Sequence, residues 1–258
     1  MISKNTIKLI HSLELKKNRR SEGLFVAEGP KVVGDLMRHG MRPTRLIATR
    51  EWTERLQSGD PHGADGLTAP VDVATGDELR RASLLQHPQQ VIGLFPLPDT
   101  PDEADSGAAE RELCLALDGV QDPGNVGTIL RLADWFGLRT VFCSHDTADI
   151  YNPKVVQATM GSIARVRVAY TDMERLFDRL PATVPVYGTL LDGNNIYTQE
   201  LTPTGIVVMG NEGKGISPSV RSRINRKLLI PRFADDGAES LNVAIATAVV
   251  CSEFKRRQ

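Results

Sequence analysis

The sequence has few of the residues and runs that metal sites, disulfide frameworks and membrane spans require. Its 258 residues include only three cysteines, and Cys114, Cys143 and Cys251 form no Cys-x-x-Cys or Cys/His ligand spacing. We therefore predict free cysteines buried as small core residues, and no bound metal. The longest mainly apolar run, Val243 to Cys251, is far shorter than the roughly 20 residues of a membrane-spanning helix. These absences favour a protein of the reducing cytoplasm that does not bind membranes.

Charge is nearly balanced overall but is distributed unevenly along the chain. A formal net charge of -1 argues against a histone-like protein that binds nucleic acid through bulk positive charge. Basic residues nevertheless outnumber acidic ones near the N-terminus. The basic residues considered in this stretch are Lys4, Lys8, Lys16, Lys17, Arg19 and Arg20. A solvated helix face is the simpler interpretation of such a charge run, and binding of nucleic-acid phosphates is the alternative.

Composition divides the chain into two domains and a linker. Residues 97–111 are rich in Pro, Asp, Glu, Ala, Ser and Gly without apolar periodicity, which is typical of an acidic, flexible linker. Residues 1–96 show short alternating elements and are predicted to form a small α/β domain. Residues 112–258 alternate strand-like runs with helical patterns, which indicates a parallel sheet with crossover helices. The strands predicted there are Leu113–Leu117, Thr140–Cys143, Val184–Leu190, Ile206–Met209 and Leu228–Ile230. The helix starts predicted from capping side chains are Asn152, Thr171 and Ser217.

The first candidate motif, Leu117 to Arg131, runs from a predicted strand through a Gly/Pro turn into a helix. Gly127 and Arg131 share one helix face, so a phosphate or sugar could approach the guanidinium over the small glycine. Asn125 stands at the helix entrance, where it could cap the helix or bind a substrate. An ordinary strand-turn-helix with a surface arginine explains this segment equally well. A dinucleotide-binding turn fits less well, because Asp122 breaks the Gly-x-Gly-x-x-Gly fingerprint.

The second motif is a glycine-rich loop after an apolar strand, Gly210-Asn211-Glu212-Gly213-Lys214-Gly215. Its glycines let backbone N–H and C=O groups approach a flat ligand closely. It is not a Walker loop, because Lys214 is followed by glycine rather than by Ser or Thr. A plain left-handed turn is the alternative.

The third motif, Glu239 to Ala246, opens the C-terminal helix. Ser240 is predicted to cap this helix, with Asn242 in its first turn. The helix is apolar on almost every side, which predicts burial in the domain, in a subunit interface, or in both. A purely structural helix explains everything here except Asn242, which would need a partner if it were buried.

Together, Asn125 to Arg131, Asn211-Glu212-Gly213 and Ser240-Leu241-Asn242-Val243 resemble the three ordered motifs of the SpoU (TrmH-like) RNA ribose methyltransferases. Each motif is weak alone, but all three in this order are highly specific, and the resemblance covers Leu113 to Phe254. The front segment, with its basic run and Gly23 to Gly29, is similar to the RNA-binding domain that precedes the catalytic domain in many members. Beside such a catalytic domain, phosphate binding becomes the stronger interpretation of the basic run, and its residues Lys4, Lys8, Lys16, Lys17, Arg19 and Arg20 are the candidate RNA contacts. That domain is of a ribosomal-protein-like α/β type.

The resemblance implies a fold, a cofactor and partners. SpoU catalytic domains are α/β domains of SPOUT type whose parallel sheet ends in a deep trefoil knot, and they work as homodimers through this domain. They methylate a ribose 2′-hydroxyl of RNA with S-adenosyl-L-methionine. The resemblance places that cofactor on Thr189, Leu190, Gly210, Asn211, Gly213, Ile230, Ser240, Leu241 and Asn242. It makes Arg131 catalytic, and the supporting polar residues that it implies are Asn125, Glu212, Ser240 and Asn242.

Physical chemistry limits the role of Arg131 in such a reaction. A guanidinium stays protonated and is a poor general base. Our hypothesis is that Arg131 holds an adjacent phosphate and stabilises the developing alkoxide, with a substrate phosphate as the proton acceptor. The added N-terminal domain favours rRNA over tRNA, at guanosine or uridine. The alternatives are a catalytically silent RNA-binding or ribosome-assembly factor of the same fold and, disfavoured by the broken glycine fingerprint, an NAD-linked Rossmann oxidoreductase.

Overall fold

A computed structural model describes residues 2–57, 69–98, 104–236 and 238–257. The chain forms two compact units. The first contains Met1–Asp99 and Asp149–Arg165, and the second contains Thr100–Ala148 and Val166–Gln258. The sequence-based boundaries placed residues 149–165 in the C-terminal domain, whereas the structure groups them with the N-terminal unit.

The first unit is built on a four-stranded sheet of order β1-β4-β2-β3. Its strands are β1 (Leu24–Glu28), β2 (Arg45–Ala48), β3 (Val71–Val73) and β4 (Val91–Pro96). Its helices are α1 (Lys4–Ser12), α2 (Lys16–Glu22), α3 (Pro30–Arg38), α4 (Arg50–Gln57), α5 (Gly76–Ala82) and α8 (Pro153–Thr159). Strand β4 pairs antiparallel with β1 and β2, whereas β2 and β3 are parallel. Helix α8 packs against β1, which explains why its segment belongs to this unit.

The second unit is built on a six-stranded sheet of order β10-β8-β9-β5-β6-β7. Its strands are β5 (Leu113–Asp118), β6 (Thr140–Cys143), β7 (Arg167–Tyr170), β8 (Val186–Asn195), β9 (Gly205–Gly210) and β10 (Arg226–Leu229). Its helices are α6 (Ala108–Arg111), α7 (Pro123–Trp135), α9 (Met173–Asp178), α10 (Pro218–Arg221) and α11 (Val243–Arg256). Every strand pairing in this sheet is parallel, which confirms the predicted α/β fold with a parallel sheet.

The cysteines lie in the core, as the sequence predicted. Cys114, Cys143 and Cys251 are all free and buried. Desolvation raises the pKa of each thiol, to about 12 for Cys114 and Cys251. The thiolate form is therefore suppressed, and these side chains act as small apolar residues.

Part of the predicted linker is folded. Ala108–Arg111 form helix α6, and Ala108 and Ala109 are buried in the same core cluster as Phe142 and Val208. Two small apolar side chains are enough to hold this single turn, although they produce no periodic pattern in the sequence. Residues 99–103 of the predicted linker lie outside the described residues.

Two of the three predicted helix starts are confirmed. Asn152 caps α8, with its Oδ1 accepting from the Lys154 N–H at 2.9 Å. Ser217 precedes Pro218 at the start of α10 but makes no side-chain cap. The prediction for Thr171 is wrong, because the Asp172 carboxylate caps α9 by accepting from the Arg175 N–H at 3.2 Å.

The buried carboxylate of Glu253 stabilises the C-terminal end of α11. Glu253 is 5% exposed and accepts hydrogen bonds from Arg256 at 2.8 Å and from Arg257 at 2.7 Å. Arg257 also donates to the carbonyls of Ile196 at 3.2 Å and Tyr197 at 2.6 Å, which ties the helix to the segment after β8. The hydrogen bond from Arg256, followed by that from Arg257, lowers the pKa of Glu253 to about 2.

We expect this carboxylate to make stability depend on pH. The pKa of Glu253 is lower in the folded state than its ordinary value of 4.5, so its stabilising contribution is complete above pH 4.5 and is lost as the pH falls towards 2. Thermal unfolding should give Glu253→Gln a lower Tm than wild type at neutral pH, with the difference shrinking steadily below pH 4.5. Glu174→Gln, at an exposed glutamate of the same unit, is the control. A deficit of constant size across this pH range would contradict the assignment.

Candidate functional site

The loops that carry the three motifs begin at one edge of the parallel sheet. The first motif follows β5 and the second follows β9, and these strands are parallel neighbours with Asp118 opposite Gly210. Loops after adjacent parallel strands emerge side by side at the carboxyl edge, where α/β proteins bind ligands. The third motif opens α11, which packs against α7 of the first motif. The fold therefore brings all three motifs together.

A chain of side-chain hydrogen bonds joins the motifs directly. Asn242 Nδ2 donates to Asn125 Oδ1 at 2.9 Å, and Asn125 Nδ2 donates to Glu212 Oε1 at 2.9 Å. The bonded residues are 117 and 87 positions apart in the sequence, so only the fold can pair them. We call Asn242, Asn125 and Glu212 the amide chain.

Both ends of the amide chain fix its direction. Asn242 Oδ1 accepts from the backbone N–H groups of Ala244 at 2.9 Å and Ile245 at 3.2 Å, which leaves its NH₂ group to face Asn125. Glu212, at the other end, is a carboxylate and can only accept. Each end therefore requires the Asn125 amide to turn its oxygen towards Asn242 and its nitrogen towards Glu212.

The helix caps differ from those predicted. Asp122 caps α7, with its Oδ1 accepting from the Asn125 N–H at 2.8 Å, so Asn125 is not the cap. Asn242 caps α11 in place of Ser240. Ser240 is exposed, and its hydroxyl has no hydrogen-bond partner among the described residues. Serine and asparagine cap helices about equally well, so the sequence could not separate these positions.

Asn211 holds the glycine-rich loop closed. Its Oδ1 accepts from the N–H groups of Gly213 and Lys214, both at 2.9 Å, and its Nδ2 donates to the Gly119 carbonyl at 2.7 Å. Gly119 has a φ of 71° and donates its own N–H to Ser144 Oγ at 2.8 Å. The turn after β5 is thus held on both sides. Sequence reasoning missed Ser144, although a polar residue directly after a buried strand is the signal that could have found it.

The segments predicted to bind a cofactor leave backbone groups available. Strand β8 pairs with β10 at Tyr187–Gly188 and again at Asn194–Asn195. The register skips the stretch of β8 between these pairs, which contains Thr189 and Leu190. Within the described ranges, the backbone N–H and C=O groups of Ile230, Ser240 and Leu241 have no hydrogen-bond partner in the chain. Unused backbone donors and acceptors beside apolar strands suit a flat heteroaromatic ligand.

Glycine is required at Gly210 in the same region. A Cβ there would lie 2.4 Å from the carbonyl carbon of Gly215, where no side chain fits. Gly213, by contrast, is exposed, and a Cβ there would meet only Asn211 Oδ1, at 3.7 Å. Gly210 therefore allows the two ends of the loop to approach each other, whereas Gly213 leaves the loop surface accessible to a ligand.

Arg131 lies on the exposed side of α7. It follows Asn125 by six residues, which is about 9 Å along a helix axis. Among the described residues its guanidinium has neither a hydrogen-bond nor an ion-pair partner. Gly127, one turn earlier on the same face, adds no side chain that would cover it. The structure thus joins Asn125, Glu212 and Asn242 directly and leaves Arg131 available for an anion.

One of the candidate RNA contacts is wrong. Arg19 is 2% exposed, donates to the carbonyls of Leu13 at 2.7 Å and Glu14 at 2.8 Å, and forms an ion pair with Asp149 at 2.6 Å. A buried guanidinium committed to these acceptors cannot bind a phosphate as well. The remaining candidates are exposed, namely Lys4, Lys8, Lys16, Lys17 and Arg20.

Neither metal ligands nor a membrane span emerges from the part of the chain that the structure describes. No group of His, Cys, Asp and Glu side chains in those ranges has the arrangement to hold a metal ion. No helix there is long and apolar enough to cross a bilayer.

Two family models match the sequence, one for each end of the chain. The model of the SpoU rRNA Methylase family matches residues 112–252, and that of the MRM3-like substrate binding domain matches residues 4–93. Among curated proteins, the 23S rRNA (guanosine(2553)-2'-O)-methyltransferase RlmP of Bacillus subtilis is 29% identical over 249 residues, which cover 92% of this chain and 91% of that protein.

Solved structures give similar matches over the whole chain. A Porphyromonas gingivalis structure, described as an RNA methyltransferase of the TrmH family, has a TM-score of 0.86 at 40% identity and covers 100% of both chains. An AdoMet-bound rRNA methyltransferase from Sinorhizobium meliloti has a TM-score of 0.80 at 28% identity and covers 100% of this chain and 96% of that one.

Proposed function

The chain belongs to the SpoU rRNA methylase family, and from that membership we propose that it transfers the methyl group of S-adenosyl-L-methionine to a ribose 2′-hydroxyl of RNA. The observation that carries the proposal is the amide chain, which bonds one residue of each motif to the next. Ribosomal RNA is the proposed substrate, at guanosine or uridine. Its support is the match to a substrate binding domain and the 23S rRNA activity in the name of the Bacillus subtilis relative.

The skipped stretch of β8, the glycine-rich loop and the start of α11 fit the proposed cofactor. The unused backbone groups of Ile230, Ser240 and Leu241 can read the edge of an adenine. The residues proposed to hold the cofactor are Thr189, Leu190, Gly210, Asn211, Gly213, Ile230, Ser240, Leu241 and Asn242. S-adenosylmethionine supplies an electrophilic methyl group on a sulfonium. The role of the protein is then to hold the ribose oxygen in line with that methyl group.

Arg131 is proposed to act on the RNA. Its unpartnered guanidinium can bind the phosphate next to the target ribose and stabilise negative charge that develops on the 2′-oxygen. The proton of the hydroxyl passes to a substrate phosphate, because a guanidinium cannot accept it. The amide chain fixes the Asn125 side chain at the start of the helix that carries Arg131. Ser240, two residues before Asn242, is proposed as a further polar group of the site.

The exposed basic residues of the first unit are proposed to bind RNA phosphates, and Arg19 and Arg20 provide a matched test. Arg19→Ala should destabilise the fold by about 2 kcal/mol, because it leaves buried acceptors unpaired. The RNA affinity of the folded variant should equal that of wild type. Arg20→Glu, at an exposed neighbour, should leave the Tm unchanged and flatten the dependence of RNA affinity on salt. Chemical denaturation and RNA titrations at several salt concentrations measure both effects. The reverse pattern would contradict the assignment.

We also propose that the second unit forms the family's homodimer and contains its deep trefoil knot. The sheet order, in which β8 separates β9 from β10, supports the knot. The dimer is supported by apolar side chains exposed on or beside the packed helices α7 and α11, namely Trp135 at 83%, Ile245 at 55% and Leu241 at 50%. The cytoplasm is the proposed compartment, supported by the three free cysteines.

Replacing an exposed apolar side chain at the proposed interface should separate the subunits. Trp135→Glu introduces a charge that would be desolvated in a dimer, so we expect a monomer at concentrations where wild type is a dimer. Light scattering after size-exclusion chromatography measures the mass. Leu191→Glu, at an apolar side chain 77% exposed outside α7 and α11, should remain dimeric. Equal masses for Trp135→Glu and wild type would contradict this interface.

Two assays separate the proposed function from its alternatives. Calorimetry should show binding of S-adenosylmethionine and no binding of NAD, which distinguishes a methyltransferase from an oxidoreductase. Labelled methyl groups should enter an unmodified 23S rRNA transcript when protein and cofactor are added. RNA binding without methyl transfer would instead support a silent assembly factor.

A further inference from the structure

Phe233 has the most exposed large apolar side chain among the described residues, at 90%. It lies four residues after the end of β10, in the connection between β10 and α11. A hydrated phenyl ring gains nothing from packing within the chain. Both faces of the ring are therefore open to a ligand.

This loop begins and ends at the candidate site. Ile230 leaves its backbone groups unused at the start of the loop, and Asn242 joins the amide chain at the end. Three extended residues span at most about 11 Å, so the Cα atom of Phe233 lies within that distance of the Cα atom of Ile230. Arg232, the residue before Phe233, is exposed and donates to the Asp235 carbonyl at 3.2 Å, so a positive charge precedes the ring in the chain.

We propose that Phe233 stacks on an unpaired base of the RNA beside the nucleotide that is methylated, with Arg232 facing the RNA backbone. This inference rests on the proposed function. Proteins read unpaired RNA bases mainly by stacking them on aromatic side chains, and a neighbouring cation adds attraction for phosphate. Phe233 lies on neither α7 nor α11, which carry Trp135 and Ile245 of the proposed dimer interface.

Replacements at Phe233 separate stacking from simple apolar contact. With an unmodified 23S rRNA transcript as the probe, Phe233→Ala should raise the KM for RNA about ten-fold, in line with the loss of one stacked base. Phe233→Tyr keeps the ring and should stay near wild type. Phe233→Leu keeps apolar volume without a π face and should behave like Phe233→Ala. The affinity for S-adenosylmethionine and the oligomeric mass should not change in any variant.

Several results would overturn the inference. A Phe233→Ala variant with the wild-type KM, a Phe233→Leu variant as good as Phe233→Tyr, or a change of oligomeric mass in Phe233→Ala would each do so. In these cases wild type still methylates the transcript, and the proposed function stands. A wild type that binds S-adenosylmethionine but methylates no RNA removes the proposed function and the stacking role together.

Discussion

Arg131→Ala is expected to lower kcat for methyl transfer by about 10²- to 10³-fold, the usual cost of removing one group that stabilises developing oxyanion charge. Its affinity for S-adenosylmethionine and its Tm should stay near those of wild type. The guanidinium has no partner among the described residues, so the fold does not depend on it. Transfer of labelled methyl groups to an unmodified 23S rRNA transcript measures kcat, and calorimetry measures cofactor affinity.

Two further variants sharpen the Arg131 experiment. Arg131→Lys keeps the charge but loses the planar fork that binds phosphate through two hydrogen bonds, so it should lie between wild type and Arg131→Ala. Arg139→Ala, at another exposed arginine of the same unit, should be fully active. Nearly full activity in Arg131→Ala would refute the catalytic role. A parallel loss of cofactor affinity would instead indicate a role in binding S-adenosylmethionine.

Asn242→Asp should break the amide chain without uncapping α11. The new carboxylate can still accept from the Ala244 and Ile245 N–H groups, but it cannot donate to Asn125. If Asn125 turns its NH₂ group towards position 242, its oxygen faces the Glu212 carboxylate, and two acceptors meet. We expect kcat to fall by about 10²-fold, as misplaced site groups commonly cause, with little change in Tm.

Reversing the amide chain should rescue that loss. In the double variant Asn242→Asp with Glu212→Gln, the new amide at position 212 can donate to Asn125 Oδ1, and Asn125 can donate to the new carboxylate. Every hydrogen bond then re-forms in the opposite direction, with the same total charge. The double variant should therefore be about as active as Glu212→Gln alone. A double variant no better than Asn242→Asp would contradict the claim that the broken hydrogen bonds cause the loss of activity.

The sheet that positions the site could be predicted because its strands are buried on both faces. Strands β5 and β9 are continuous apolar runs, and their ends fall within a residue of the prediction. The placement of the motifs after those strands followed from the same runs. Strand β7 was missed because it is a half-exposed edge strand of four residues, Arg167–Tyr170, with little apolar contrast.

Long-range pairing explains what the sequence could not show. Arg19 lies in a basic run that is typical of a solvated face. It is nevertheless buried, because it forms an ion pair with Asp149, 130 positions away. The bond between Asn125 and Asn242 likewise depends on the packing of α7 against α11. Local patterns report which residues are polar, whereas the partner of each polar group is set by the tertiary fold.

The position of the transferred methyl group tests the central claim most directly. RNA methylated with labelled S-adenosylmethionine can be hydrolysed in alkali, which cleaves each linkage through its free 2′-hydroxyl. A 2′-O-methyl group blocks that cleavage, so the proposal predicts label in an alkali-resistant dinucleotide. Label released in a mononucleotide would place the methyl group on a base and would contradict ribose methylation.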